Sequence, residues 1–140
     1  MGSIELIKST GKLIYDPIRP GVRKTGESLI LQPAWDDTDL LYAWFIKRRY
    51  GLKLQRPVWY IHITVVSIKE NPRKEAWKKY DGEYIDFEYS PEVYQVWKFW
   101  SLPVVCSRLE AIRIELGLSS KPRASSGVPS DFHMTIGRMF

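Results

Sequence analysis

At 140 residues, with 44% hydrophobic and 26% charged side chains, the chain has the composition of one soluble globular domain with room for a sizeable core. A single cysteine, Cys106, excludes an intramolecular disulfide and a cysteine-based metal site; its apolar setting reads as core, and the pattern fits a reducing cytoplasm. A net charge of +5 favours an anionic partner such as a nucleotide or nucleic acid, while no stretch is long enough to span a membrane and the N-terminus lacks a secretory signal. Aromatic residues reach 14%, most of them expected in the core and some available as stacking surfaces for bases.

In chain order, Lys12 to Tyr15 reads as a short strand stopped by Asp16-Pro17. Arg19 to Glu27, with Arg19, Arg23 and Lys24, reads as a loop, either a solvated connection or an electropositive rim for phosphates. Ser28 to Gln32 is a second strand ended by Pro33. Asp36 to Tyr50 has acidic capping residues at its start, apolar residues at helical spacing and Gly51 after it, and predicts a helix. Leu52 to Leu54 is a short strand candidate, and Val58 to Ile68 is the strand that carries the first histidine.

Lys74 to Tyr80 predicts one helical turn, followed by an Asp81-Gly82 turn. Glu83 to Tyr89 alternates, with Ile85, Phe87 and Tyr89 on one face. Val93 to Trp100 is the next strand, so 83–100 reads as a hairpin. Ser107 to Leu116 predicts a helix with Leu109, Ile112 and Leu116 as its stripe and Gly117 closing it. Ser119 to Ser130 is rich in Ser, Pro and Gly and reads as a mobile loop leading into the strand Phe132 to Arg138.

The chain's two histidines are each followed two residues later by threonine: His62-Ile63-Thr64 and His133-Met134-Thr135. With five threonines in the chain, two such matches arise by composition roughly once in a thousand chains. Strand side chains alternate between faces, so each His-Thr pair projects from one face. Ile61, Ile63, Met134 and Ile136 are then expected to pack behind it, and Tyr60 to share its side. Each half of the chain has strands, one helix and one such motif. This predicts a pseudo-symmetric α+β fold of two small antiparallel sheets whose histidine strands face each other.

Two imidazoles suit general acid–base catalysis near neutral pH, and threonine hydroxyls can donate to phosphoryl oxygens. The pattern points to metal-independent phosphodiester chemistry. Competing readings are two core histidines, or a zinc site with Asp131 as a further ligand; zinc wants three or four ligands, and no third histidine is present. No G-x-S-x-G elbow, Walker A loop or dinucleotide fingerprint occurs.

The paired motifs resemble those of the 2H phosphoesterase superfamily, and the stretches Trp97 to Gly117 and Phe132 to Gly137, with Trp59 ahead of His62, look similar to its phage anti-CBASS nucleases. The resemblance implies one bilobal α+β domain over 1–140, with two antiparallel sheets flanking a central cleft and helices outside. It also implies cleavage of the 3'-5' bonds of cyclic di- or trinucleotide messengers in the host cytoplasm, without cofactor or metal, so silencing the host's CBASS alarm. His62 and His133 would be base and acid in an order left open, and Thr64 and Thr135 would hold the phosphoryl oxygens. Tyr15, Trp97 and Trp100 are candidate base contacts, and Lys121 and Arg123 candidate phosphate contacts. A 2H enzyme acting on RNA 2',3'-cyclic phosphates or 2',5' linkages, and a non-catalytic nucleotide sponge, are the alternatives. The chain is expected to be a monomer with no membrane partner.

Overall fold

The structure is a computed structural model, and it describes residues 6–17, 27–33, 48, 61–67, 70–91, 94–96, 99–122 and 132–138. Seven strands are present among them: β1 (Ile7–Tyr15), β2 (Leu29–Pro33), β3 (Ile63–Val66), β4 (Tyr84–Tyr89), β5 (Tyr94–Val96), β6 (Phe99–Val105) and β7 (His133–Arg138). One α-helix, α1 (Ser107–Glu115), and a 3-10 turn at Lys74–Ala76 complete the described elements. None of the described helices is long and apolar enough to cross a membrane.

The strands run in the order β4-β1-β2-β3-β7-β6-β5, and β4 also pairs with β6. That last pairing, Glu88 with Val105 and Tyr89 with Val104, closes six strands into an antiparallel barrel and leaves β5 as an extra strand on β6. The bilobal arrangement of two sheets around a cleft is therefore corrected. The two histidine strands do not face each other from separate sheets; β3 and β7 are neighbours in one sheet. The predicted helix at 36–50 and strand at 52–54 lie outside the described residues, apart from Arg48.

Closure depends on a strand that sequence patterning cut short. β6 continues to Val105, through Pro103. Proline interrupts a ladder because it has no N–H. Here the Pro103 carbonyl accepts a bond from Ser90 N at 2.9 Å. Its nitrogen faces the same edge, in the gap where β6 exchanges β5 (last pair Tyr94 and Ser101) for β4 (first pair Tyr89 and Val104). No ladder donor is needed there. The predicted hairpin 83–100 is likewise corrected: β4 pairs with β1 and β6, and the hairpin is β5 with β6.

One face of the sheet forms the core. Leu13, Leu29, Leu31, Ile63, Ile85, Phe87, Leu102, Val104 and Met134 alternate inward along their strands and join the stripe Leu109, Ile112 and Leu116 of α1. The alternation of β4 and the stripe of α1 are as the sequence predicts. Gly117 ends α1 with φ +79, a left-handed value that favours glycine, and Leu118 N returns to Arg113 O at 2.9 Å. β1 is longer than its apolar part because Ile7 to Thr10 are held by backbone pairing to β4.

The stripe of α1 also contains a charge. Arg113 is fully buried. Its guanidinium donates to both oxygens of Glu70, at 2.6 and 3.0 Å, to Val65 O at 2.6 Å, to Ser119 O at 2.8 Å and to Lys121 O at 2.8 Å. Glu70 in turn accepts from Ser67 N at 3.0 Å. A buried charge is tolerated when its hydrogen-bonding capacity is filled this way. It also corrects the reading of 119–130 as one mobile loop: the segment's first residues are pinned by Arg113, and 123–130 lie outside the described residues.

Removing the guanidinium strands a carboxylate that is 4% exposed. Arg113→Ala is expected to lower unfolding free energy by about 3–5 kcal/mol, measured by chemical denaturation. Glu70→Gln, which keeps an acceptor, should cost less. A loss for Arg113→Ala within the ordinary surface range would contradict the anchoring role.

Candidate functional site

The two motifs come together through the register of β3 against β7. Ile63 pairs with Met134 in an antiparallel ladder. Continuing that register by one residue each way sets Thr64 opposite His133 and His62 opposite Thr135. Directly opposed residues share a face, so all four side chains project from the face away from the core. Their burial agrees: His62, Thr64, His133 and Thr135 are half-buried, while Ile61, Ile63 and Met134 between them are buried. The expected packing role of those three residues is met. The side chain of Ile136, and Tyr60 and Trp59, lie outside the description.

The result is a square with the histidines on one diagonal and the threonines on the other. Diagonal neighbours on paired strands lie about 7–8 Å apart. Two imidazoles at that spacing can each reach an oxygen on either side of one phosphorus through hydrogen bonds of about 2.6–3.2 Å.

Each motif also carries the same local irregularity. On β2, Ile30 pairs with Thr64 and Leu29 with Val66, so Val65 is skipped. On β6, Trp100 pairs with Gly137 and Ser101 with Thr135, so Ile136 is skipped. A bulge therefore follows the threonine of both motifs, on the outer ladder of each strand. Bulges twist a strand and re-aim its side chains. Val65 and Val66 are both buried, as the bulge requires, and the Val65 carbonyl is the one that accepts from Arg113.

The neighbours of the square were not singled out from sequence. Ser101 lies opposite Thr135, with the two hydroxyl oxygens 3.3 Å apart. Gln32, one residue beyond the pair Leu31 and Ile63, lies opposite His62 and donates its side-chain amide to Ile61 O at 2.8 Å. Ile30 flanks Thr64, and Pro103 flanks His133. The alternation Trp100, Leu102, Val104 against Ser101, Pro103, Val105 was the available signal for Ser101, obscured by the proline.

The other predicted contacts fall elsewhere. Tyr15 is in the core, on the opposite face from His62, with its ring edge-on to Trp77 at 4.9 Å. Burial pushes its phenol above the ordinary range. Trp100 shares strand parity with Leu102 and packs against the core. Lys121 pairs with Glu110 of α1 at 2.7 Å. Trp97 and Arg123 lie outside the described residues, as do Arg19, Arg23, Lys24 and Asp131. Cys106 is buried, burial pushes its thiol up, and its Sγ donates to Asp86 O at 3.5 Å, as befits a core residue and not a nucleophile.

Among the described residues, no three of His, Cys, Asp and Glu converge as metal ligands do. Compared with protein-family models, with characterised proteins and with solved structures, the chain matches none of them.

The pairing of the motifs is open to a direct chemical test. Directly opposed positions have the spacing a disulfide needs. In a Cys106→Ala background, Thr64→Cys with His133→Cys should form an internal disulfide on mild oxidation, read by mass spectrometry. Thr64→Cys with Met134→Cys should not, because Met134 faces the core. The reverse pattern would contradict the register.

Proposed function

We propose that the chain is a metal-independent phosphodiesterase in which His62 and His133 act as the general base and acid of one site. The observation that carries this is the pairing of Ile63 with Met134, a register that, continued one residue each way, sets each histidine opposite the other motif's threonine. One imidazole takes the proton of an attacking hydroxyl, and the other gives a proton to the leaving oxygen. The threonine hydroxyls donate to the non-bridging oxygens, whose charge grows in the transition state. For a ribose substrate the 2'-hydroxyl attacks the adjacent phosphorus and the P–O5' bond breaks. The products are a 2',3'-cyclic phosphate and a free 5'-hydroxyl, so protons and bonds balance without an added oxidant or cofactor.

Two features support a nucleotide substrate. The net charge of +5 favours a polyanion. The paired motifs, with Trp97 to Gly117 and Phe132 to Gly137, resemble phage nucleases that open cyclic di- and trinucleotide messengers and so disarm host CBASS signalling. We take cyclic oligonucleotides as the substrate class on that ground. Among the described residues the four motif residues share one face of a single sheet, and Tyr15 and Trp100 pack on the other. Base recognition therefore falls to groups on the polar side.

The test is product identification from cyclic GMP-AMP, other cyclic di- and trinucleotides, and a cyclic-phosphate-ended RNA, all in the presence of chelator. Linear products ending in a 2',3'-cyclic phosphate are expected from the cyclic substrates. Preference for the RNA end would instead favour an RNA-processing enzyme. Stoichiometric loss of free ligand without product would mark a sponge. His62→Ala and His133→Ala should each lower kcat by about 10²–10⁴-fold, the usual contribution of a general acid or base, while ligand binding stays within a few-fold. Retained cleavage by both single variants would overturn the mechanism.

A further inference from the structure

The geometry points to Ser101 as a positioning residue for Thr135, and through it to unequal roles for the two threonines. The inference rests on the phosphodiesterase reading and adds to it a residue and an asymmetry. Ser101 lies directly opposite Thr135 in the β6–β7 ladder, its oxygen 3.3 Å from the Thr135 oxygen. It is 3% exposed, too deep to meet a substrate itself. A hydroxyl has one proton to give and accepts through two lone pairs. Among the described residues, Thr135 is the only side-chain partner of Ser101. Either oxygen could donate across this contact; because the serine is buried with no other side-chain acceptor among the described residues, we assign it the donor role toward Thr135 Oγ1. On that assignment the half-buried Thr135 keeps its own proton for a substrate oxygen.

The bulge strengthens this reading. The register of β6 against β7 slips between Trp100 and Ser101, immediately beside Thr135. A slip there sets the angle at which Thr135 leaves the sheet. Thr64 has a bulge at the matching place but a different neighbour: Ile30, 1% exposed and unable to hydrogen bond through its side chain. The two motifs are alike in backbone and unlike in polar support. Thr135 is a preorganised donor for a phosphoryl oxygen, and Thr64 is not. Donors that need no reorientation stabilise developing charge most effectively.

The experiment is steady-state kinetics on the full chain, using the panel member with the highest kcat/KM and its Rp and Sp phosphorothioates. Ser101→Ala should lower kcat about five- to tenfold, the kinetic equivalent of about one neutral hydrogen bond, with KM unchanged. It should also narrow the discrimination between Rp and Sp forms, a readout that a general loss of packing would not move. In a Thr135→Val background, Ser101→Ala should have no further effect, and Thr135→Val should cost more than Thr64→Val. Ser101→Thr, which keeps the hydroxyl, should recover most of kcat. Should the alanine variant fail to fold, Ser101→Cys, close in shape and a weak donor, is expected to lower kcat in the same direction. Equal losses in both backgrounds, or unchanged Rp/Sp discrimination, would overturn this inference alone. A wild-type chain inactive on the whole panel would overturn the phosphodiesterase reading and this inference with it.

Discussion

The guanidinium of Arg113 is the contact on which the arrangement depends. It is a full charge in the core, with a buried carboxylate as its partner and three backbone carbonyls and the Ser119 hydroxyl as further acceptors. Desolvating such a group is costly, and the cost is offset only while every partner stays in place. Those partners come from distant parts of the chain: the end of β3, the turn at Glu70 and the segment after α1. One side chain thus fixes how the helix lies against the strand that bears the first motif. The carbonyl it holds at Val65 belongs to the bulge residue next to Thr64, so a long-range core interaction and the local shape of the site meet at one peptide.

From there the register does the rest. A ladder between β3 and β7 needs only one defined pair to decide which residues oppose which, because a slip of one residue would turn every side chain to the other face. With Ile63 against Met134, apolar residues behind the sheet and the four polar residues before it are decided together. The same packing that excludes water on one side presents two imidazoles and two hydroxyls on the other. Fold stability and the proposed chemistry therefore share one determinant, and the chemistry asks for no deep cleft between lobes.

How much of this was legible in the sequence follows from which interactions are local. Period-two alternation marked Tyr84–Tyr89, and helical spacing with Gly117 marked α1, because each burial pattern is set within one element. Strand parity likewise separated His62 and Thr64 from Ile61 and Ile63. What pairs with what was not legible. Pro103 hid the strand that closes the barrel, since nothing local reveals that β6 changes partner at that residue. Arg113 was not singled out, because its partner Glu70 is 43 residues away. A repeated motif suggested two lobes, whereas the repeat is expressed as two adjacent strands with matching bulges. Ser101 was missed for the same reason as the closure: its strand was cut short.

The central claim is that His62 and His133 exchange protons with one substrate at one site. Its most direct measurement is the pH dependence of kcat/KM in chelator, set beside the NMR titration of the two imidazoles. The base must be unprotonated and the acid protonated, so the rate should fall on both the acid and the alkaline side, with midpoints that follow the two imidazole titrations. A rate indifferent to both titrations, or one that persists when both histidines are replaced by alanine, would contradict the account.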